Sequence, residues 1–206
     1  RAIFGIDRFE EGTIRIAGKP VKIRRVSDAI RNGIAMATED RRRLGLILCR
    51  NLKENISLSS LRKVSRYTFL NLKKEKRLTE RYFQKMKIKA SGLEAAAMTL
   101  SGGNQQKVVL SKCLMTDAKV LILDEPTRGI DVGAKHEIYK LMIELAENGI
   151  GIIMISSELP EFIGMCDRAY VMHNGRIVGE LDKKHMTQEE IIRMAAGGVR
   201  HGHSKG

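Results

Sequence analysis

The sequence predicts an α/β fold, and three observations carry that expectation. Two continuous apolar runs, over 120–123 and Gly151–Ile155, have the length and composition of strands buried on both faces. A stretch with helical apolar spacing, 136–148, lies between them, and strand, helix, strand in that order reads as a parallel βαβ unit. Asp124 and Glu125 then stand at the carboxyl end of the first run, where open α/β sheets bind ligands.

The elements follow in chain order. Thr13-Ile14-Arg15-Ile16 alternates as a half-buried strand does, and Ala17-Gly18-Lys19-Pro20 closes it with turn residues, so a small antiparallel piece is expected near the start. A short helix is expected over 27–32, capped by Ser27 and ended by Gly33, with Ile34-Ala35-Met36 as a buried strand after it. From 52 to 88 the pattern is long, polar and helical, broken only near 57–60. A helix over 104–115 is marked by Val108, Leu110 and Leu114 and leads into the first apolar run. Gly149 should end the 136–148 helix. Asn174-Gly175 between two apolar runs is a strong hairpin signal. The domain reading is therefore one stretch, 1–206, with a helical insertion at about 50–95, a core over 96–196, and a frayed tail at 197–206.

Composition narrows the class. The chain has 206 residues, 43% of them apolar, enough to build a core without staples. Cys49, Cys113 and Cys166 are far apart and lack metal or CxxC spacing, so they are expected to be small buried apolar residues in a reducing compartment. No apolar run approaches the 18 residues of a membrane span, and Arg1-Ala2-Ile3-Phe4-Gly5 lacks the form of a signal peptide. Residues 1–90 hold 24 Lys+Arg against 9 Asp+Glu, whereas 91–206 hold 13 against 15. The basic half is expected to be a solvated or membrane-surface-facing face. With few aromatics and no helix-turn-helix, zinc-finger or RNP pattern, specific nucleic-acid binding is not expected.

Two motifs carry chemistry. An acid at a buried strand end can hold Mg²⁺, and its neighbour can polarise an attacking water, although two acids before Pro126 could equally open a turn. Leu100-Ser101-Gly102-Gly103-Asn104-Gln105-Gln106-Lys107 opens a helix, whose N-terminus supplies unpaired N–H groups and a positive dipole end, while two glycines permit close backbone approach.

In their order and spacing, Leu100 to Lys107, then Val120-Leu121-Ile122-Leu123-Asp124-Glu125-Pro126-Thr127, then Gly129-Ile130-Asp131 resemble the signature loop, Walker B strand and D-loop of the ABC transporter nucleotide-binding domain. With Ile155-Ser156-Ser157-Glu158-Leu159-Pro160-Glu161, the variant resembles the second ATP-binding half of double-domain subunits that drive bacterial import of ribose, xylose or galactosides. The resemblance implies a P-loop-NTPase-like ABC core with a small antiparallel piece and an α-helical insertion.

It further implies ATP and Mg²⁺ as cofactors, with Asp124 associated with the metal through water and Glu125 as general base. Ser101, Gly102, Gly103, Asn104 and Gln105 would face ATP held by another ABC domain, the N-terminal half of the same subunit; Asp131 would communicate across the pair, and Glu39, at the Q-loop position, would join the nucleotide-binding set. Thr38-Glu39-Asp40-Arg41-Arg42 would lie in the Q-loop region, with Arg41, Arg42 and Arg43 facing membrane permease subunits. A periplasmic sugar-binding protein would be an indirect partner, and the site of action the cytoplasmic face of the bacterial inner membrane. The rival readings are a non-transport ABC ATPase acting on nucleic acid and a catalytically silent regulatory domain.

Three departures from the family pattern matter. No G-x-x-x-x-G-K-[ST] occurs in these residues, because Gly18-Lys19 is followed by Pro20. Arg1 to Gly5 resembles the end of the helix that follows such a P-loop, so the N-terminal P-loop segment is expected to be missing here and the 206 residues alone to bind ATP weakly. The switch position, His in most of the family, is Ser157, and the Q-loop position is Glu39, not Gln. Together they suggest a domain that chiefly presents its signature loop to a partner's nucleotide.

Overall fold

The computed structural model describes residues 1–197, apart from the side chain of Phe162. The chain divides into two compact units, Arg1–Ile155 and Ser156–Gly206.

The first unit begins with a small antiparallel pair, β1 (Ile14–Ile16) and β2 (Lys19–Val21), as the alternation predicts; two of the expected turn residues, Lys19 and Pro20, belong to its second strand. Pro20 is tolerated because the pair has only edges. Helix α1 (Val26–Arg31) follows. Its N-cap is Arg25 and not Ser27, because the chain enters helical geometry two residues early and the Asp28 carboxylate takes the backbone N–H of Arg24 at 3.2 Å. Gly33, at φ +79°, ends the segment, and its carbonyl accepts the N–H groups of Lys119 and Val120. That contact brings β3 (Ile34–Ala37) beside β6 (Val120–Asp124).

β3, β6 and β7 (Gly151–Ile155) form a parallel sheet in that order, with Ile34 opposite Val120 and Asp124 opposite Ile155. β6 is central, and Leu121, Ile122 and Leu123 are all buried. β7 departs from expectation. It is an edge strand with Ile153 and Ile155 exposed, because an apolar run reports hydrophobicity and not its place in a sheet. Ile23, Ala29, Ile34 and Ile122 make one core cluster, against which Phe4, Ile14, Ile16 and Val21 pack.

A π-helical turn at Arg41–Gly45 precedes the helical insertion. The insertion contains α2 (Leu52–Ser57), a 3₁₀ turn at Leu58–Ser60, α3 (Leu61–Val64), the strands β4 (Ser65–Arg66) and β5 (Phe69–Leu70), and α4 (Leu72–Lys85). The β4–β5 hairpin corrects the all-helical expectation. Its Tyr67-Thr68 loop puts Tyr67 at φ +56° without the Gly or Asn that normally advertises such a turn. Asn51 and Asn71 cap α2 and α4 through the N–H groups of Glu54 and Lys74, both at 2.9 Å.

Helix α5 (Gly102–Leu114) starts two residues before the periodicity suggests and packs against α2, α4, β3 and α6 (Val132–Glu147). It is buried almost all round, so its amphipathic reading is too weak. Cys113 on it is buried, and burial pushes its thiol up to about 11. Cys49 was expected to be buried too, but it lies exposed in the turn before α2. Gly149, at φ +83°, ends α6.

The second unit holds α7 (Leu159–Met165), the hairpin β8 (Arg168–His173) and β9 (Arg176–Asp182), and α8 (Gln188–Ala195). Asn174 and Gly175 both take positive φ, the type I′ turn their sequence predicts. Ala169, Val171, Leu181, Met186, Ile191 and Met194 form its core. Apart from Gly197, the tail expected to fray lies outside the described residues. No helix among the described residues is long and apolar enough to cross a membrane.

Asn55, only 1% exposed, staples the chain entering α2. Its carboxamide accepts the Ile47 N–H at 2.8 Å and donates to the carbonyls of Ile47, Arg50 and Asn51 at 3.0, 3.2 and 2.9 Å. Asn55→Ala orphans buried backbone groups and should lower unfolding free energy by about 2–4 kcal/mol in urea titration; a loss below about 0.5 kcal/mol would show the staple to be dispensable.

Candidate functional site

β6 delivers Asp124 to the carboxyl edge of the sheet, and the chain turns sharply there. Glu125 sits at φ +45°, a left-handed conformation uncommon for a residue with a Cβ, and its N–H donates to the Ile155 carbonyl at 2.9 Å. Two short turns follow. The Arg128 N–H reaches the Glu125 carbonyl at 3.2 Å and the Ile130 N–H reaches the Thr127 carbonyl at 3.2 Å, with Thr127 buried and Gly129 at φ +64°. Both acids are half-buried. No group of three or more potential metal-ligating side chains exists among the described residues. Two adjacent carboxylates suit Mg²⁺, which keeps water and phosphate oxygens as its other ligands.

Asp131 closes this loop as the N-cap of α6, its Oδ1 accepting the Ala134 N–H at 2.9 Å. A structural use of this carboxylate therefore accompanies the role the resemblance implies for it.

The N-terminus of α5 is built differently. Ser101 holds the N-cap position in an extended conformation but makes no side-chain cap, and it is exposed. Its hydroxyl accepts the Asn104 amide at 3.0 Å, and the Asn104 carbonyl oxygen accepts the Lys89 N–H at 2.8 Å. Gln105, expected to face a ligand, is buried and donates to the Ala97 carbonyl at 3.1 Å. Asn104 and Gln105 thus hold the loop to the chain before it. Ser101 remains exposed at the positive end of α5.

The glycines have a second reason to be there. A Cβ on Gly103 would lie 2.6 Å from the Ala134 Cβ, and one on Gly102 would lie 2.6 Å from Arg41 Nη2 and 3.1 Å from the Gly129 carbonyl oxygen. The small size read as room for an anion is also what lets α5 close on the 128–134 segment.

Glu39 pairs with the Arg128 guanidinium. Arg41 turns inward, donating to the carbonyls of Arg128 and Gly129, which corrects the expectation that Arg41, Arg42 and Arg43 face outward together; only Arg42 and Arg43 are exposed. The reason is local. Asp40 caps the π turn by accepting the N–H groups of Arg42 and Arg43, and this rotates the first arginine away from the other two. Segments 39–41, 101–103 and 128–131 are therefore in contact. Ser157 belongs to the second unit, where Ser156 Oγ meets Glu161 at 2.5 Å and takes the Glu158 N–H at 3.1 Å.

One further group escaped the sequence reading. Lys107, 5% exposed, places Nζ 2.6 Å from Glu137 Oε2 and 3.3 Å from the Lys87 carbonyl, and Lys89 joins Glu137 at 3.2 Å. Lys107 first, then Lys89, hold the Glu137 carboxyl below the usual carboxylate range. These links fasten α5 to α6, and since their partners are 30 and 48 positions apart, no local pattern announces them.

Known proteins resemble this chain in sequence and in fold. The family model described as ABC transporter matches residues 1–128. The chain is 52% identical over 198 residues to a putative ribose/galactose/methyl galactoside import ATP-binding protein of Rhizobium etli, covering 96% of this chain and 38% of that protein. It is 52% identical over 189 residues to a xylose import ATP-binding protein of Geobacillus kaustophilus (92% and 38%), and 48% identical over 198 residues to a ribose import ATP-binding protein of Bacillus subtilis (96% and 40%). The chain thus spans about two-fifths of the length of these relatives. In fold it matches a nucleotide-free ATP-binding cassette from an ABC transporter, with a TM-score of 0.75 at 24% identity, covering 94% of this chain and 80% of that one. An ADP-bound cassette gives 0.76 at 22% identity, covering 95% and 81%.

The packing of Gly103 yields a test. Gly103→Ala should cost about 1–3 kcal/mol through overpacking, and Ala134→Gly in the same chain should recover part of that loss. Urea titration of both single variants and the double variant checks this; strictly additive losses would show that the two positions do not press on each other.

Proposed function

This chain belongs to the ABC transporter family, and on that premise we propose that it is one ATP-binding domain of a bacterial sugar import ATPase, acting mainly by presenting its signature loop to ATP held by a partner ABC domain. The observation that carries the reading is the N-terminus of α5, where Ser101 is exposed and makes no side-chain cap to the helix. Such an end favours phosphate oxygens, and its donors need no reorganisation when negative charge develops.

In this reading residues 1–206 belong to a single ATP-binding domain, including the helical subdomain at about 50–95 and the core at 96–196. Ser101, Gly102 and Gly103 approach the terminal phosphate of the partner's nucleotide. Asn104 and Gln105 act behind them, fixing the loop against the Lys89 N–H and the Ala97 carbonyl. Asp124 holds Mg²⁺ through water beside this domain's own nucleotide, and Glu125 is the base that orients an attacking water there. Mg²⁺ supplies charge neutralisation on the phosphates when bound. Ser157, at the position where an imidazole is usual, cannot extend as far or carry its charge, so this second site turns over slowly. Glu39 and the exposed Arg42 and Arg43 lie at the contact with membrane permease subunits. A periplasmic sugar-binding protein acts upstream, and the domain works at the cytoplasmic face of the inner membrane.

The likeness to ribose, xylose and galactoside import ATP-binding proteins supports a sugar as cargo.

Ser101→Asp separates folding from function. Asp is as good an N-cap as Ser and favours the positive helix end, so thermal stability should be kept or raised. The same carboxylate repels a phosphate, so ATP turnover by the assembled transporter should fall at least about 10²-fold. Glu125→Gln should be milder than the matching change in the partner domain, where loss of a base costs about 10²–10⁴-fold. Near wild-type turnover by Ser101→Asp, with full loss on Glu125→Gln, would contradict the proposal.

A further inference from the structure

We propose that Arg41 is a positioning residue, a two-pronged clamp that fixes the 128–131 loop against the N-terminus of α5. Nη1 donates to the Arg128 carbonyl at 2.7 Å and Nη2 to the Gly129 carbonyl at 3.0 Å, across 87 and 88 residues of chain. The planar fork of a guanidinium can hold two successive carbonyls at once, which a single ammonium nitrogen cannot do with the same rigidity. Among the described residues Arg41 Nε is buried with no hydrogen-bond partner, and the two carbonyls are the acceptors that orient the group. Gly102 leaves the space that Nη2 occupies, because a Cβ there would stand 2.6 Å from it.

The clamp sits in a stiff segment. Glu39, two residues earlier, takes the Arg128 side chain while Arg41 takes its backbone, so one residue of the loop is gripped from both ends. At the other end of the π turn, Gly45 is buried against Val109 of α5, and Lys112 of the same helix donates to the Gly45 carbonyl. The 39–45 segment is thus fastened to the 128–129 loop at one end and to the body of α5 at the other. Asp131, two residues beyond Gly129, caps α6 and inherits its position from this arrangement. The consequence for turnover rests on the proposed function: a displacement of 39–45 would move the Asp131 loop and the Ser101–Gly103 end together. Burial first, and then Arg42, push the Arg41 pKa below its ordinary value, but a guanidinium stays charged and the clamp needs no proton exchange.

The test is hydrogen–deuterium exchange on the protein as its gene encodes it, comparing wild type with Arg41→Gln, Arg41→Lys and the exposed neighbour Arg42→Gln. Amides of 128–134 should exchange about tenfold faster in both Arg41 variants and at the wild-type rate in Arg42→Gln, with β6 unchanged in all. The lysine variant keeps the charge and loses the fork, so it should not rescue. Unchanged exchange at 128–134, rescue by lysine, or equal acceleration in β6 would each overturn the clamp. In the assembled transporter the Arg41 variants should lower kcat for ATP about tenfold with KM within about twofold, since Arg41 positions a loop and does not hold nucleotide. Local loosening with full turnover would leave the clamp standing and count against the proposed function.

Discussion

Gly103 lets the first turn of α5 close on Ala134, and Gly102 leaves the space that the Arg41 guanidinium occupies beside the Gly129 carbonyl; the rest of the site is arranged around that approach. A Cβ at either position would stand 2.6 Å from a neighbouring atom, in one case on Arg41 and in the other on Ala134. With both absent, the chain end of α5, the turn after Asp124 and the cap of α6 lie within one small region. Backbone carbonyls of Arg128 and Gly129 are then available to Arg41, and in the proposed function the N–H groups at the helix start serve an anion.

This closeness also explains how polar groups are divided around the loop. Asn104, Gln105 and Lys107 all follow the glycines on α5, and all three are spent on holding the helix: Asn104 to Lys89, Gln105 to Ala97, Lys107 to Glu137. Ser101 makes no cap and remains exposed. A helix buried nearly all round, secured by polar anchors at its start, gives the exposed donors a fixed aim, and fixed donors stabilise developing charge better than mobile ones. Glu125, at φ +45°, takes an uncommon left-handed conformation at the end of β6.

Much of this was legible in the sequence because it is local. The parallel β6–α6–β7 unit, the two acids after β6, the glycines before α5 and the Asn174-Gly175 turn are each written in adjacent residues. What escaped depends on distant partners or on position in the sheet. Arg41 looked like one of three equal surface arginines, since nothing near it says that its acceptors lie 87 and 88 residues away. The Tyr67-Thr68 hairpin lacks turn-forming residue types, and the exposed face of β7 follows from its place at a sheet edge. Asn104 and Gln105 were grouped with the ligand-facing residues because they share a motif with Ser101, whereas helix geometry turns Gln105 into the core.

If the α5 N-terminus faces the terminal phosphate of ATP bound elsewhere, as proposed, vanadate photocleavage reports the contact. Vanadate trapped with MgADP at a transition-state-like site cuts, under near-ultraviolet light, the backbone of serines in contact with it. In the assembled transporter the account predicts cleavage of this chain at Ser101, dependent on MgATP and vanadate. Cleavage confined to the partner domain's own phosphate-binding loop, with the bond at Ser101 intact, would contradict it.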